Sequence, residues 1–393
     1  MEHARDGDEG TAGSGPGAGT GAGAFAGAGA GAVAAEDAGT AAGAGARAPG
    51  GGVPFAAHRA DTTTGKTLLS ELAGAHSVGA GVLGFFTTRE ACALRLVCCE
   101  LRAAVAAVEW RDEETRIVRN LGAWRVSFPR ARAANISNLY TGPKNAFVDA
   151  DFAHLRGIHT LDMSFCRQGG ITDAAFAHLR GIHTLNMSYC RQAGITDAAF
   201  AHLRGIHTLY MSDCSQAGIT DAAFAHLRGI HTLNMLGCNQ AAITDAAFAH
   251  LRGIHTLNMS CCSQAGITDA AFAHLRGINT LDMTSCRQIT DAAFAHLRGI
   301  HALYMLYCDQ AGITDAAFAH LSGIHTLNMS GCRQSGITDA AFAHLRGIHT
   351  LNMSYCTQAG ITDAAIAQLS GIHTLRAMGC SSSVSQAVAA LRA

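Results

Sequence analysis

The stretch Ile171–Gly194, ITDAAFAHLRGIHTLNMSYCRQAG, determines how most of this 393-residue chain is organised. It returns almost unchanged in successive copies that begin at Phe147, Ile171, Ile195, Ile219, Ile243, Ile267, Ile289, Ile313, Ile337 and Ile361. The period is 24 residues, and the Ile267 copy is two residues shorter. A fixed period of this size predicts an array of similar units that bury their apolar faces against one another.

Each copy contains one strand pattern and one short helix pattern. The strand pattern at 183–188 places Leu185 and Met187 on one face and Asn186 on the other, because side chains alternate along a strand. The helix pattern at 172–180 opens with Thr172, a good N-cap, followed by Asp173, which suits the positive end of a helix. Stacked copies therefore predict a parallel sheet with a Leu/Met core face, a Thr/Asn/Ser concave face and helices on the convex side.

A consensus of apolar positions in each copy matches that of leucine-rich repeats. It reads Ile182, Leu185, Met187 and Cys190, in the order L-x-x-L-x-L-x-x-N/C. We expect an α/β leucine-rich-repeat solenoid. Short helices and cysteine at the last position resemble the cysteine-containing class of these repeats, which is frequently joined to F-boxes. The equivalent cysteines are Cys166, Cys190, Cys214, Cys238, Cys262, Cys286, Cys308, Cys332, Cys356 and Cys380.

Composition narrows the classes of partner. The formal net charge is −1 and the pI is near 7, so nothing predicts binding to nucleic acid or to an anionic membrane surface. No apolar run is long enough to span a bilayer, and the first residues do not resemble a secretory signal. One thiol per repeat is a packing position for a small buried hydrophobe. We therefore expect a reducing compartment, cytoplasmic or nuclear.

The region before the repeats divides into a tail and a helical segment. Residues 1–54 are Gly/Ala tracts with almost nothing large to bury, so we expect a disordered tail. Residues 60–67, ADTTTGKT, fit a loose phosphate-loop pattern around Lys66, but the preceding Val53-Pro54 is a poor strand and no βαβ alternation follows. Of the three functional hypotheses for this chain, a nucleotide-dependent enzyme is therefore the least supported.

The segment 82–110 predicts an amphipathic helical unit. Thr87 or Thr88 is a candidate N-cap, with Glu90 in the first turn. Apolar residues at Leu94, Val97, Leu101 and Val105 recur at helical spacing and predict one apolar face.

This segment resembles an F-box, the helical module that docks on the Skp adaptor of cullin-type ubiquitin ligases. The resemblance rests on VLGFF at 82–86, on Arg89-Glu90 and on LRLVC at 94–98. It departs from the family in lacking the opening Leu-Pro, and in having Leu101 where a tryptophan is common. The alternative is a helical cap that shields the first repeat. The resemblance implies adaptor contacts by Val82, Leu83, Phe85, Phe86, Leu94, Leu96, Val97 and Leu101.

We divide the chain accordingly into five parts: a tail at 1–54, an F-box-like segment at 68–112, an N-terminal cap or linker at 113–146, ten repeats at 147–380 and a C-terminal cap at 381–393. In the linker, Trp124, Val126 and Phe128 alternate and predict a capping strand.

Histidine is the residue type that most suggests chemistry. Eighteen of the 21 histidines fall in two repeat columns, one on the helix (as His178) and one at the start of the strand (as His183). A column of imidazoles is compatible with metal binding or a pH response, but a metal site needs mixed ligands that converge on one point. We expect no metal site, no cofactor and no catalytic residue, because no copy breaks the pattern to place a nucleophile beside a base.

Differences between copies are the positions where specificity is expected. They concentrate at the residue after the strand leucine and at the residue before the repeat cysteine, which include five of the six tyrosines. Tyrosine is frequent in binding hot spots, while drift after duplication would also vary exposed positions first. The concave-face candidates are Asp162, Phe165, Asn186, Tyr189, Tyr210, Asp213, Tyr304, Tyr307, Tyr355 and Arg376.

The expected function is that of a substrate-recognition subunit of a cullin-type ubiquitin ligase, with no enzymatic activity of its own. A Skp-type adaptor and its cullin complex would bind the helical segment, and a protein substrate would bind the concave face. The alternative is a repeat scaffold that binds proteins without recruiting a ligase.

Overall fold

The computed structural model describes residues 83, 86–138, 147–167 and 169–392, all within one compact unit, Ala60–Ala393. The predicted tail at 1–54, the phosphate-loop pattern around Lys66, and the positions Val82 and Phe85 lie outside the described residues.

Among the described residues before the repeats, helices are formed by α1 (Thr88–Leu94), α2 (Cys99–Ala107) and α3 (Leu121–Ser127). Thr87 caps α1 by accepting from the backbone N–H of Glu90, whose carboxylate accepts from the N–H of Thr87 at 2.8 Å. The carboxylate of Asp112 accepts from both the N–H and the hydroxyl of Thr88, each at 2.6 Å, and so fixes α1 against the following loop.

The prediction of one apolar helix face through Leu94, Val97, Leu101 and Val105 is wrong. The chain turns between α1 and α2, where Cys98 is extended and its sulfur accepts from the N–H of Leu101 as the N-cap of α2. Val97 lies in this turn and is 60% exposed, whereas Leu101 and Val105 are buried. A polar-capped turn has therefore replaced the continuous helix that the spacing indicated.

The predicted capping strand at 124–128 is also wrong, because this segment forms α3. The Asn120 side chain caps it by accepting from the N–H of Ala123 at 2.8 Å. Trp124 and Phe128 are one helical turn apart and pack together, with ring centroids 6.3 Å apart, while Val126 faces solvent. The strand that caps the sheet is instead β1 (Ala133–Asn135), which pairs with the first repeat.

An eleven-stranded parallel sheet follows, with its strands in chain order, as the sequence predicts. Leucines at the centre of neighbouring strands are paired in register, as Leu185 is with Leu161 and Leu209. The ten repeat strands are β2 (Thr160–Asp162), β3 (Thr184–Asn186), β4 (Thr208–Tyr210), β5 (Thr232–Asn234), β6 (Thr256–Asn258), β7 (Thr280–Asp282), β8 (Ala302–Tyr304), β9 (Thr326–Asn328), β10 (Thr350–Asn352) and β11 (Thr374–Arg376).

Short helices alternate with these strands. The first repeat carries a 3-10 helix, Asp149–Leu155, and a second 3-10 turn, Ala343–Leu345, extends one later helix. The α-helices are α4 (Asp173–Phe176), α5 (Asp197–Phe200), α6 (Asp221–Phe224), α7 (Asp245–Phe248), α8 (Asp269–Phe272), α9 (Asp291–Phe294), α10 (Asp315–Phe318), α11 (Asp339–Phe342), α12 (Asp363–Ala367) and the C-terminal α13 (Ser382–Arg392).

The core consists of repeating layers of Phe, Leu, Ile, Met and Cys, as in Phe176, Leu185, Met187 and Cys190, all fully buried. From Cys190 onward, each repeat cysteine also donates its thiol to a backbone carbonyl of the preceding copy, as Cys190 does to Met163 at 3.1 Å. The cysteine column therefore has two roles, filling the core and joining neighbouring repeats.

Candidate protein-binding surface

The concave face carries two rows of side chains in which the copies differ. We call the last residue of each repeat strand, from Asp162 to Arg376, the strand-end row. We call the residue before each repeat cysteine, from Phe165 to Gly379, the turn row.

Most members of the strand-end row hold the turn that follows their own strand. The side-chain oxygen of Asp162 accepts from the N–H of Ser164 at 2.8 Å, and that of Asn186 accepts from the N–H of Ser188 at 3.1 Å. The same bond recurs at Asn234, Asn258, Asp282, Asn328 and Asn352. Asp162 and Asn186, both predicted binding residues, thus have a structural role in the turn.

Three members of the strand-end row do not form that bond: Tyr210, Tyr304 and Arg376. Phenol and guanidinium groups do not reproduce the short Asx geometry, so these three side chains do not hold the turn, and Tyr304 is half-buried. Tyr210 is 37% exposed, and Arg376 is exposed at the last strand. Among the predicted contacts in this row, these three are the ones without a role in the turn.

Every described residue of the turn row has left-handed backbone, a feature that the sequence analysis missed. Phe165, Tyr189, Tyr307 and Tyr355 have φ between 53° and 60°, and Gly331 has φ of 71°. This conformation costs roughly 1 kcal/mol for a residue with a Cβ. Glycine, aspartate and serine in other copies are the sequence signal of such a position. Four aromatic residues therefore occupy a position whose left-handed backbone conformation is unfavourable for them. Their presence despite this cost favours a role for their rings.

The first aromatic pair of the turn row forms a stack. The rings of Phe165 and Tyr189 are 4.3 Å apart and nearly parallel at 8°, and the Arg167 guanidinium lies 6.0 Å from the Phe165 centroid. Burial, a hydrogen bond to Asp213 and the charge of Asp213 raise the pKa of Tyr189. Asp213 also faces Arg191 at 4.0 Å. The N-terminal end of the concave face is thus an aromatic platform with charged edges.

Two further tyrosines lie over glycines of the next repeat. A Cβ on Gly331 would lie 2.5 Å from Cδ1 of Tyr307, and one on Gly379 would lie 2.6 Å from Cδ1 of Tyr355. The tyrosines nevertheless remain 50% and 46% exposed. Met378, which replaces the usual serine of its copy, is 69% exposed, and its carbonyl accepts from the N–H of Tyr355 at 2.7 Å. That departure from serine is the signal by which sequence reasoning would have found Met378.

The F-box-like segment exposes part of its predicted contact set. Leu83 and Leu101 are buried in the chain's own core, and Leu94 is half-buried. Phe86, Leu96 and Val97 are exposed, Leu96 at 84%. Burial therefore removes Leu83 and Leu101 from the available surface and leaves three described side chains on it.

A groove of about 1140 Å³ lies between α1 and α3. Its apolar wall is formed by Ile117, Trp124 and Phe128, and α1 contributes Cys92 and Glu90 to the opposite side. The groove is adjacent to the F-box-like helices and is open to solvent.

The histidines at the start of the strands form two continuous stacks. Neighbouring rings from His159 to His255 are 4.5–4.6 Å apart, and those from His301 to His373 are 4.4–4.5 Å apart, with Asn279 between the stacks. Parallel rings do not converge on a point. Within the described residues there is no group of three or more His, Cys, Asp or Glu side chains suited to a metal ion, and no helix long and apolar enough to cross a membrane.

Comparisons with known proteins agree on the fold. No family model and no curated protein matches the chain. Among solved structures, the chain is similar to a TLR13–ssRNA13 complex (17% identity, TM-score 0.51) and to a Toll–Spatzle complex from Drosophila (12% identity, TM-score 0.52). The matches cover 65% and 67% of this chain but only 37% and 38% of those chains. A complex of Rad7 and Elc1 in yeast aligns less well, with a TM-score of 0.48 and 13% identity over 82% of this chain and 91% of that one. The fold is a leucine-rich-repeat solenoid.

Proposed function

We propose that this chain binds a protein on its concave face and connects it to a Skp-type adaptor of a cullin-type ubiquitin ligase through the segment 82–110. The chain then acts as a recognition subunit and performs no reaction itself. The alternative is a protein-binding scaffold with the same concave surface and no ligase adaptor.

The observation that supports binding most directly is the replacement of turn-holding residues by tyrosine. Tyr210 and Tyr304 stand where seven other copies use an Asn or Asp oxygen to satisfy a turn N–H. Each of these two substitutions removes a structural hydrogen bond and adds a ring that is exposed at Tyr210 and half-buried at Tyr304, which argues against drift at a neutral position. Tyrosine buries a large area with few rotatable bonds, which suits it to a binding surface.

The adaptor half of the proposal rests on the sequence resemblance and on exposed apolar side chains. Leu96 and Val97 are exposed in the turn between α1 and α2, and Phe86 is exposed just before α1. Large apolar side chains that lie together in solvent are typical of a surface that another protein covers.

Co-purification with a Skp adaptor tests this half. The double variant Leu96→Asp and Val97→Asp places charges on the exposed turn without altering the core. Adaptor recovery with this variant should fall to the level seen with a deletion of 82–110. Val126→Asp is the matched control, because Val126 is 77% exposed on α3 and outside the proposed contact. If the intact chain recovers no adaptor, or the double variant recovers as much as the control, the ligase role is excluded and the scaffold alternative is favoured.

The concave half is tested separately by proximity labelling with the full chain. Proteins that depend on Tyr210 and Tyr304 should be lost in the variant Tyr210→Ser and Tyr304→Ser, and retained in the control Val118→Ser and Val126→Ser. These valines are exposed outside the repeats. Identical partner sets in the two variants would exclude the concave tyrosines as a binding surface.

A further inference from the structure

One edge of the solenoid is formed where each helix ends and the next strand begins. The chain runs forward through a strand and returns through a helix, so these residues share one edge, which we call the strand-entry edge. In seven of the ten copies it is built from the segment AHLRGIH, as at 177–183; the other three read AHLRGIN, AHLSGIH and AQLSGIH, and no copy has an acidic residue here.

A row of arginines follows this edge. All eight members are exposed. Seven lie in consecutive copies: Arg156, Arg180, Arg204, Arg228, Arg252, Arg276 and Arg298. The eighth, Arg346, follows after a copy that has serine at this position. In the part of the chain that the structure describes, none of them is within ion-pair distance of a carboxylate.

Most of these arginines contact a side-chain acceptor of the next repeat instead. Arg156 Nε donates to His178 Nδ1 at 3.2 Å, and Arg204 Nε donates to His226 Nδ1 at 3.4 Å. A guanidinium has five N–H donors in a planar fork, so one such bond leaves most of them free while it orients the group.

The balancing acids lie on the opposite edge. Asp173 and its equivalents begin the helices and accept from the N–H and hydroxyl of the threonine in the next repeat, as Asp173 does from Thr196. The net charge of −1 therefore conceals one basic edge and one acidic edge. A net charge near zero therefore does not mean an evenly neutral surface, because the repeat separates its two charges in space.

We propose that the strand-entry edge docks an acidic polypeptide segment, in an extended conformation, along the arginine row. At a strand spacing of about 4.8 Å the seven consecutive arginines span roughly 29 Å, the length of about nine extended residues. Carboxylate is the planar anion that matches the guanidinium fork, and arginine clusters are a recurring means of recognising acidic motifs. The site is separate from the concave face and does not depend on the adaptor proposal.

An acidic peptide fits this edge better than a nucleic acid does. Binding to a phosphate backbone depends on the positive electrostatic field of the protein, which extends about 8–10 Å in physiological salt. The parallel row of aspartates weakens that field. Side-chain carboxylates in direct contact interact mainly with the nearest arginines. The described edge also offers no exposed Phe, Tyr or Trp platform on which bases would stack.

The proposal is tested by fluorescence anisotropy with a fluorescein-labelled oligoglutamate of about ten residues. The peptide is titrated with the full-length chain at about pH 8, where imidazole is neutral. The triple variant Arg204→Gln, Arg228→Gln and Arg252→Gln should weaken binding by about tenfold. Glutamine keeps an N–H donor for the neighbouring histidine, and circular dichroism verifies the fold of each variant.

The matched control is Arg191→Gln, Arg287→Gln and Arg333→Gln, which makes the same charge change beyond the strand ends; it should weaken binding less than about twofold. Equal losses in the two triple variants, or no binding by the unmodified chain, would overturn the proposal. An oligothymidylate of equal charge that binds more tightly with the same arginine dependence would also overturn it, by assigning the edge to nucleic acid.

Discussion

Thr196 donates its backbone N–H to Oδ1 of Asp173 and its hydroxyl to Oδ2 of the same carboxylate, both at 2.7 Å. The Thr196 oxygen also accepts from the N–H of Ala198 as the N-cap of α5. The same bidentate bridge recurs between consecutive copies from Asp149–Thr172 to Asp339–Thr362. One Asp/Thr pair therefore caps a helix and joins two repeats.

Removing one bridge should destabilise the array measurably. In Asp221→Ala, the N–H and hydroxyl of Thr244 lose the acceptor that they share at 2.7 Å. Hydrogen bonds to a charged group contribute about 2 kcal/mol, so the free energy of unfolding in urea should fall by about that amount. Asp363→Ala is the control, because Asp363 begins α12 without bridging to a following threonine among the described residues. A loss as large at Asp363 as at Asp221 would show that helix capping, and not the bridge, is responsible.

The histidine stacks should make stability depend on pH. Burial, followed by the charges of His183 and His231, lowers the pKa of His207 below 6.5, and burial with His301 and His349 lowers that of His325. Because the unfolded chain then binds more protons than the folded chain, stability is full above pH 6.5 and falls as the pH drops through it.

Urea midpoints measured between about pH 7.5 and pH 5 check this expectation. The variant His207→Asn and His325→Asn should show a shallower decline, since Asn279 already occupies this row in one copy. His58→Asn, outside the repeats, should leave the decline unchanged. A double variant with the full pH dependence of the unmodified chain would rule out the stacks as its source.

Gly331 should be less tolerant of substitution than glycines whose positive φ is combined with open space around the Cα. Gly331→Ala introduces both left-handed strain and a contact with Tyr307, whereas Gly347→Ala, at φ 78° with open space around it, introduces strain alone. We expect a loss of about 1 kcal/mol at Gly347 and roughly 1 kcal/mol more at Gly331. Adding Tyr307→Ser to Gly331→Ala should remove the difference in thermal unfolding. Additive effects in this double-mutant cycle would contradict the contact.

Thiol reactivity should divide the cysteines into two classes. Burial raises the pKa of Cys166 to about 12 and that of Cys214 to about 12, so these thiols stay protonated and inaccessible. In the folded chain, iodoacetamide should label the exposed Cys92, Cys99 and Cys261, as read by peptide mass spectrometry. The buried repeat cysteines should react only after denaturation. Rapid labelling of Cys214 in the folded chain would contradict the packing described here.

The sequence predicts the repeat core well because the same pattern of apolar residues recurs in every copy. The alternation around Leu185 and Met187 specifies a strand, and ten such strands with one period leave few ways to stack. Outside the repeats there is one copy of each pattern. There, spacing fitted a strand at Trp124 and Phe128, and the Asn120 cap selected a helix.

The sequence predicted which concave-face positions vary between copies, but not what each side chain does locally. Sequence variation identified Asp162, Asn186 and Tyr210 as members of one row. Which of them holds a turn and which is available to a partner depends on hydrogen bonds between residues two apart, and these required coordinates.

The sequence by itself determined the solenoid, its register and its buried columns, because apolar periodicity and burial are properties of each repeat. The tertiary structure alone decided how neighbouring copies interact. It separates the aspartates from the arginines, stacks the imidazoles, bridges Asp173 to Thr196 and places Tyr307 over Gly331. Those relations join residues some 24 positions apart, and their distances depend on the rise and twist between repeats, which no single copy encodes.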